Sequence, residues 1–163
     1  MSRQRQGRPL LILSLLAALW LGLVPLPELV APLRPFWIAL VLSYWLLETP
    51  QQAGLGLAFI CGLVADLVFG TLFGEHALRL TVFAFLVLRF RPRLRFFPLS
   101  QQALAIFALL VNDRVLVLAI RAASGEALPP WSFWLSPLTG LLLWPWLFLL
   151  LDELRLRGRS REG

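Results

Sequence analysis

GLGLAFICGLVADLVFGTLFG, Gly54 to Gly74, is the stretch on which the reading of this chain turns. It is an almost unbroken apolar run of the length a bilayer-crossing helix needs, roughly 20 residues. Gly54, Ala58, Gly62, Asp66, Gly70 and Gly74 recur in it at intervals of four. Four residues are slightly more than one helical turn, so these positions form one slowly rotating stripe. Small residues at this spacing let a second helix backbone come close. A carboxylate sits in the middle of the stripe, and facing lipid it would cost at least roughly 2.5 kcal/mol. Asp66 is therefore expected to face another helix or a polar cavity. Three roles are open to it there: an internal pair or neutralised carboxyl, recognition of a ligand or ion, and contact with a partner protein. Gly62, Asp66, Gly70 and Gly74 are the candidates for a helix-packing seam that continues into a partner interface.

The rest of the chain has the same character. Of its 163 residues 59% are hydrophobic and only 15% charged, with a mean hydropathy of +0.78. A soluble domain of this size could not cover so much apolar surface. The sequence predicts an all-α, polytopic transmembrane bundle of about six helices in a single domain, with spans near 9–30, 35–48, 54–73, 77–90, 101–121 and 131–151. Six spans use about 120 residues, which leaves room for short loops and no soluble domain. The second segment is short for a span and is expected to borrow its flanks or to be partly re-entrant. The basic-then-apolar start has the outline of a secretion signal but lacks a small-x-small cleavage site, so it reads as the first span.

Charge placement orients the spans. All fifteen basic residues are Arg. Arg3, Arg5 and Arg8 precede the first span, Arg89, Arg91, Arg93 and Arg95 form a loop joining the fourth and fifth, and Arg155, Arg157, Arg159 and Arg161 lie in the tail 152–163. In a six-span chain these three places share one side, and the positive-inside rule makes that side cytoplasmic, both termini included. Arg89 to Arg95 and Arg155 to Arg161 are thus candidate cytoplasmic contacts, with anionic lipid or with protein. Basic residues placed beside spans argue against nucleic-acid binding. Trp37, Trp45, Trp131, Trp134, Trp144 and Trp146 lie near segment ends or prolines and are expected to be interfacial anchors. Trp131 and Trp134 are also candidates to line an outward-facing pocket.

A second intramembrane polar group is Asn112-Asp113-Arg114. Neighbours on a helix point about 100° apart, so Asp113 and Arg114 reach different surroundings. With Asp66 these residues are expected to form an intramembrane polar network in which Arg114 pairs with Asp66 and removes both charges from lipid. His76 is expected to be a solvated loop residue, Arg79 to snorkel to the outer surface, and Cys61 to be a buried, inert thiol. No nucleophile-base pair, phosphate loop or metal-ligand cluster is present in the sequence, so no enzymatic activity, metal or cofactor is expected.

With these residues in view the chain resembles MreD, the rod shape-determining membrane protein family of bacteria. The resemblance is carried by RPFWIALVLSYWLLETP, Arg34 to Pro50; by GLVADLVFGTLFGEHAL, Gly62 to Leu78; by Asp113; and by LLLWPWLFLLLDELR, Leu141 to Arg155. It implies an inner-membrane, non-enzymatic component of the rod complex, or elongasome, which supports lateral peptidoglycan synthesis. The implied partners are MreC, MreB filaments, RodA and its penicillin-binding transpeptidase. It also implies the six-helix fold of substrate-binding subunits from energy-coupling-factor transporters. Small-molecule binding for such a transporter is the alternative function. The Ala-x-x-x-Ala coupling face of those subunits is not evident here, because Ala17 is followed four residues on by Leu21.

Overall fold

The computed structural model describes residues 8–51, 53–71 and 73–162, apart from the side chains at 159, 161 and 162. Among the described residues six α-helices run in chain order: α1 Arg8–Leu23, α2 Trp37–Glu48, α3 Leu55–Phe69, α4 Glu75–Leu94, α5 Leu99–Ala123 and α6 Ser136–Glu162. One-turn 3-10 helices at Ala31–Leu33 and Trp131–Leu135 lead into α2 and α6. All described residues are helix, turn or loop, with no strand among them. The helix α1 ends at Leu23, short of residue 30, the expected end of the first span; residues 1–7, with Arg3 and Arg5, lie outside the described residues.

The helix α2 is the axis of the bundle. Every residue from Ile38 to Leu47 is buried, and α1, α4 and α6 pack around it. Its 12 residues reach only about 18 Å at 1.5 Å per residue, against a hydrocarbon core of about 30 Å. A helix surrounded by protein does not have to match the bilayer, so this enclosure accommodates the short second segment whether it borrows its flanks or is partly re-entrant. Outside it, α3 packs on α4 and α1, and α5 lies between α4 and α6.

The exterior is apolar. Leu13, Trp20, Ile60, Leu67, Leu142 and Trp146 are all more than half exposed. The segments Leu99–Ala123 and Trp131–Gly158 are long and apolar enough to cross a membrane, and α1 and α3 are shorter apolar helices.

Two expectations about the elements need correction. The helix α4 runs through Pro92 to Leu94, so Arg89, Arg91 and Arg93 lie on a helix and not in a loop. Arg is a good helix former, and Pro92 forfeits the one bond its N–H would make to the Leu88 carbonyl but lies only two residues from the helix end, so it does not stop α4 before Leu94. Likewise α6 continues through Pro145 to Glu162, making the tail helical. Trp45 and Trp144 are fully buried core residues, not interfacial anchors. Their indole N–H groups donate to Ser14 Oγ at 2.8 Å and to Gln102 Oε1 at 3.0 Å, which satisfies the one polar atom each brings inside.

Candidate functional site

The polar centre of the molecule begins at the turn between α3 and α4. The helix α3 stops at Gly70, whose φ of 68° lies in the left-handed region, and α4 starts after Gly74, with φ of 101°. Only glycine takes these conformations without strain. The chain thereby folds back on itself and lays the first turn of α4 along the last turns of α3. At Gly62 the two backbones nearly touch: an added Cβ would overlap the Ala77 backbone. Gly62 and Asp66 therefore face α4, whereas Gly70 and Gly74 belong to the turn, and the stripe is not one continuous seam. With Gly62 buried against Ala77 and Asp66 only 2% exposed, these two residues are used inside the bundle and are not free for the expected partner interface, whereas Gly70 is exposed at the turn.

Asp66 gathers the turn around its carboxylate. Oδ1 accepts from Thr71 Oγ1 at 2.8 Å, from the His76 backbone N–H at 2.8 Å and from His76 Nδ1 at 3.0 Å. Oδ2 accepts from the Gly74 N–H at 2.8 Å. Both oxygens are thus hydrogen-bonded by groups within ten residues of sequence. His76, expected in a solvated loop, is 7% exposed and lies between the rings of Phe36 and Phe69. With Nδ1 donating to Asp66, its Nε2 is left as an acceptor, and Arg79 Nη1 lies 3.4 Å away.

Arg79 carries the chain of contacts to α5. Its Nε donates to Asp113 Oδ1 at 3.0 Å and its Nη2 to Asp113 Oδ2 at 2.8 Å, a bidentate pair buried at both ends. The guanidinium also lies 4.4 Å from the Phe36 ring centroid. Arg79 therefore does not snorkel, and the expected pairing of Arg114 with Asp66 is not formed. Asp66 is satisfied locally, and Arg114, pointing away from Asp113, lies 4.5 Å from the Phe133 ring centroid. Asn112 faces outward on α5 and makes no side-chain hydrogen bond among the described residues. The network that exists is Asp66–His76–Arg79–Asp113. It was hidden in the sequence because Gly74 made Glu75 and His76 look like loop; two glycines spaced four apart after Asp66 were the available sign of a tight return.

Beside this network is a cavity of about 680 Å³. Arg34, His76, Arg79, Arg114, Arg121 and Phe133 line it, with Trp37, Ile38, Val68 and Phe69 among its apolar walls. Trp131 and Trp134, expected on such a pocket, are exposed at 78% and 39% and are not among its lining residues; Phe133 between them is.

The opposite end of the bundle holds the basic candidates. Arg91 Nε donates to Leu47 O at 2.9 Å and so caps α2. Arg155 lies 3.3 Å from Glu48 and 3.0 Å from Asp152, which in turn accepts from Tyr44 OH at 3.0 Å. These two arginines are committed inside the protein. Arg89, Arg93 and Arg95 are exposed, and Arg157 is an exposed residue paired to Glu153. The side chains of Arg159 and Arg161 lie outside the described residues.

Comparison with known proteins places the chain. The family model for rod shape-determining protein MreD matches residues 3–154. A relative from Haemophilus influenzae, rod shape-determining protein MreD, is 33% identical over 135 residues, which is 83% of this chain and 83% of that protein. No solved structure matches significantly.

Proposed function

Because the chain belongs to the family of rod shape-determining protein MreD, we propose that it is a multi-pass, non-enzymatic scaffold of the bacterial rod complex that binds MreC. Family membership gives it a membrane location and a role in determining rod shape. The finer reading has α1 to α6 crossing the inner membrane in alternation, both termini cytoplasmic. Exposed Arg89, Arg93 and Arg95 and the α6 extension then lie at the cytoplasmic surface, in reach of MreB and anionic headgroups. RodA and its transpeptidase belong to the same assembly.

The observation that carries the scaffold reading is the outward face of α5. Asn112 is exposed there in mid-helix, with Ala108, Val115 and Ala119 exposed on the same side. An unpaired amide facing lipid is costly, and small residues beside it admit a second helix closely, so this face suits a transmembrane helix of a partner. The Gly62–Asp66 face, used within the bundle, does not.

The test is mild-detergent purification of the tagged protein at native expression with mass spectrometry of what co-purifies. Recovery of MreC, reduced by Ala108→Trp or Asn112→Leu, supports the reading. Recovery of a transporter coupling subunit and ATPases without cell-wall proteins overturns it in favour of a small-molecule uptake subunit.

A further inference from the structure

We propose that the cavity between the ends of α1 and α3 and the facing part of α5 binds an organic phosphate that carries an apolar body. The inference rests on charge balance around the cavity and stands apart from the identity of any protein partner.

Four guanidinium groups line the space: Arg34, Arg79, Arg114 and Arg121. Two of them have counter-charges outside it. Arg79 is neutralised by Asp113, and Arg121 lies 3.9 Å from Glu126. The other two have no carboxylate at ion-pair distance among the described residues. Arg114 is held by stacking on Phe133 and makes no hydrogen bond among the described residues. Arg34 donates through Nη1 to Gly22 O at 3.0 Å and through Nη2 to Val24 O at 2.7 Å. Its Nε is buried without a partner. A buried donor left unsatisfied and a guanidinium without an anion are both costly in a low-dielectric setting. The cavity thus has an excess of about two positive charges and at least one unused donor.

An anion inside would resolve both. A phosphate monoester fits better than a carboxylate, because it brings up to two negative charges and tetrahedral oxygens that separate guanidinium groups can share. Trp37, Ile38, Val68 and Phe69 form an apolar side to the cavity, broken only by the Trp37 indole, and Ser132 adds one hydroxyl to the lining, so the body attached to the phosphate is largely apolar. A volume of about 680 Å³ is within the usual range for small-molecule sites. Such a ligand is either the headgroup region of a membrane lipid or a water-soluble aryl or alkyl phosphate.

The experiment titrates the purified full-length chain in a zwitterionic detergent, following intrinsic tryptophan fluorescence and native mass spectrometry. The probes are dihexanoyl phosphatidic acid, 1-naphthyl phosphate and their uncharged counterparts, dihexanoylglycerol and 1-naphthol. Saturable binding of either phosphate, at least about tenfold tighter than its uncharged counterpart, is the expected result. Tighter binding of the phosphatidic acid assigns the site to a lipid headgroup; tighter binding of the naphthyl phosphate assigns it to a soluble ester. Arg114→Gln should weaken binding about tenfold or more, with Arg114→Lys recovering part of it. Arg93→Gln, at the far end of the bundle, should leave binding unchanged. Arg114 supports no helix cap or ion pair, so its replacement leaves the fold intact, which the melting temperature checks. Equal affinity for charged and uncharged probes, no binding of either phosphate, or unchanged binding by Arg114→Gln would each overturn the proposal.

Discussion

Arg79 and Asp113 close a bidentate ion pair across 34 residues of sequence, with both members below a tenth exposed. It ties α4 to α5 at the level where α3 also ends. Removing one partner strands a buried charge, so Asp113→Ala is expected to destabilise the protein by about 3–5 kcal/mol. The double variant Arg79→Met, Asp113→Leu should melt above either single one, because it strands nothing. Thermal melting in detergent by tryptophan fluorescence reads this. Reversing Asp66 and Arg114 together should rescue nothing, because they are not a pair; rescue there would point to a different network.

Asp66 is predicted to act as the clasp of the 70–74 turn. Asp66→Asn keeps the shape of the side chain but replaces an acceptor oxygen by a donor. At least one of the bonds from Gly74, Thr71 or His76 must then be lost, at about 1–3 kcal/mol. Faster proteolytic cleavage between α3 and α4 in the variant, at equal melting cooperativity, is the expected readout.

Two glycines of α3 should respond to alanine with opposite signs. At Gly62 the new Cβ meets the Ala77 backbone, while at Gly56 it meets nothing within 4 Å. Gly62→Ala is expected to cost about 1–3 kcal/mol from overpacking. Gly56→Ala should be neutral or stabilise by up to about 1 kcal/mol through helix propensity. Side-by-side melting curves decide it; equal losses at both would show that α3 and α4 do not approach as closely as Gly62 requires.

At the other end of the bundle, Arg155 and Arg157 differ in the same way. Arg155→Gln leaves Glu48 and Asp152 close together without their cation and should lower the melting temperature clearly. Arg157→Gln removes only an exposed pair one helical turn long, worth about 0.5 kcal/mol or less. A larger loss at Arg157 than at Arg155 would contradict the assignment.

Much of the architecture was readable from the apolar runs, because composition alone excludes a soluble fold and the small residues around Gly62 mark a close helix approach. Asp66 was identifiable as an inward-facing group from the cost of exposing it. Its partners were not. Local residues satisfied it, so the long-range pairing with Arg114 that charge balance suggested had no need to form. The free cation of that reading became a feature of the cavity wall. The status of His76 depended on knowing that a helix restarts right after Gly74. The arginines beside the helix ends looked alike in sequence; only packing separates Arg91 and Arg155, bound to the ends of α2 and α6, from Arg89, Arg93 and Arg95.

The enclosure of α2 sets an order for biogenesis. The helix is made second, yet α4 and α6, which wall it in, are made fourth and last. A nascent chain that has delivered only α1 to α3 holds Ser43, Tyr44 and Glu48 on a short helix without the cover that α4 and α6 later provide. Such a helix is too brief to span a bilayer by itself, so its burial depends on the later segments arriving. A chain truncated before α6 is accordingly expected to be a target for quality-control proteolysis and not a smaller working version of the protein.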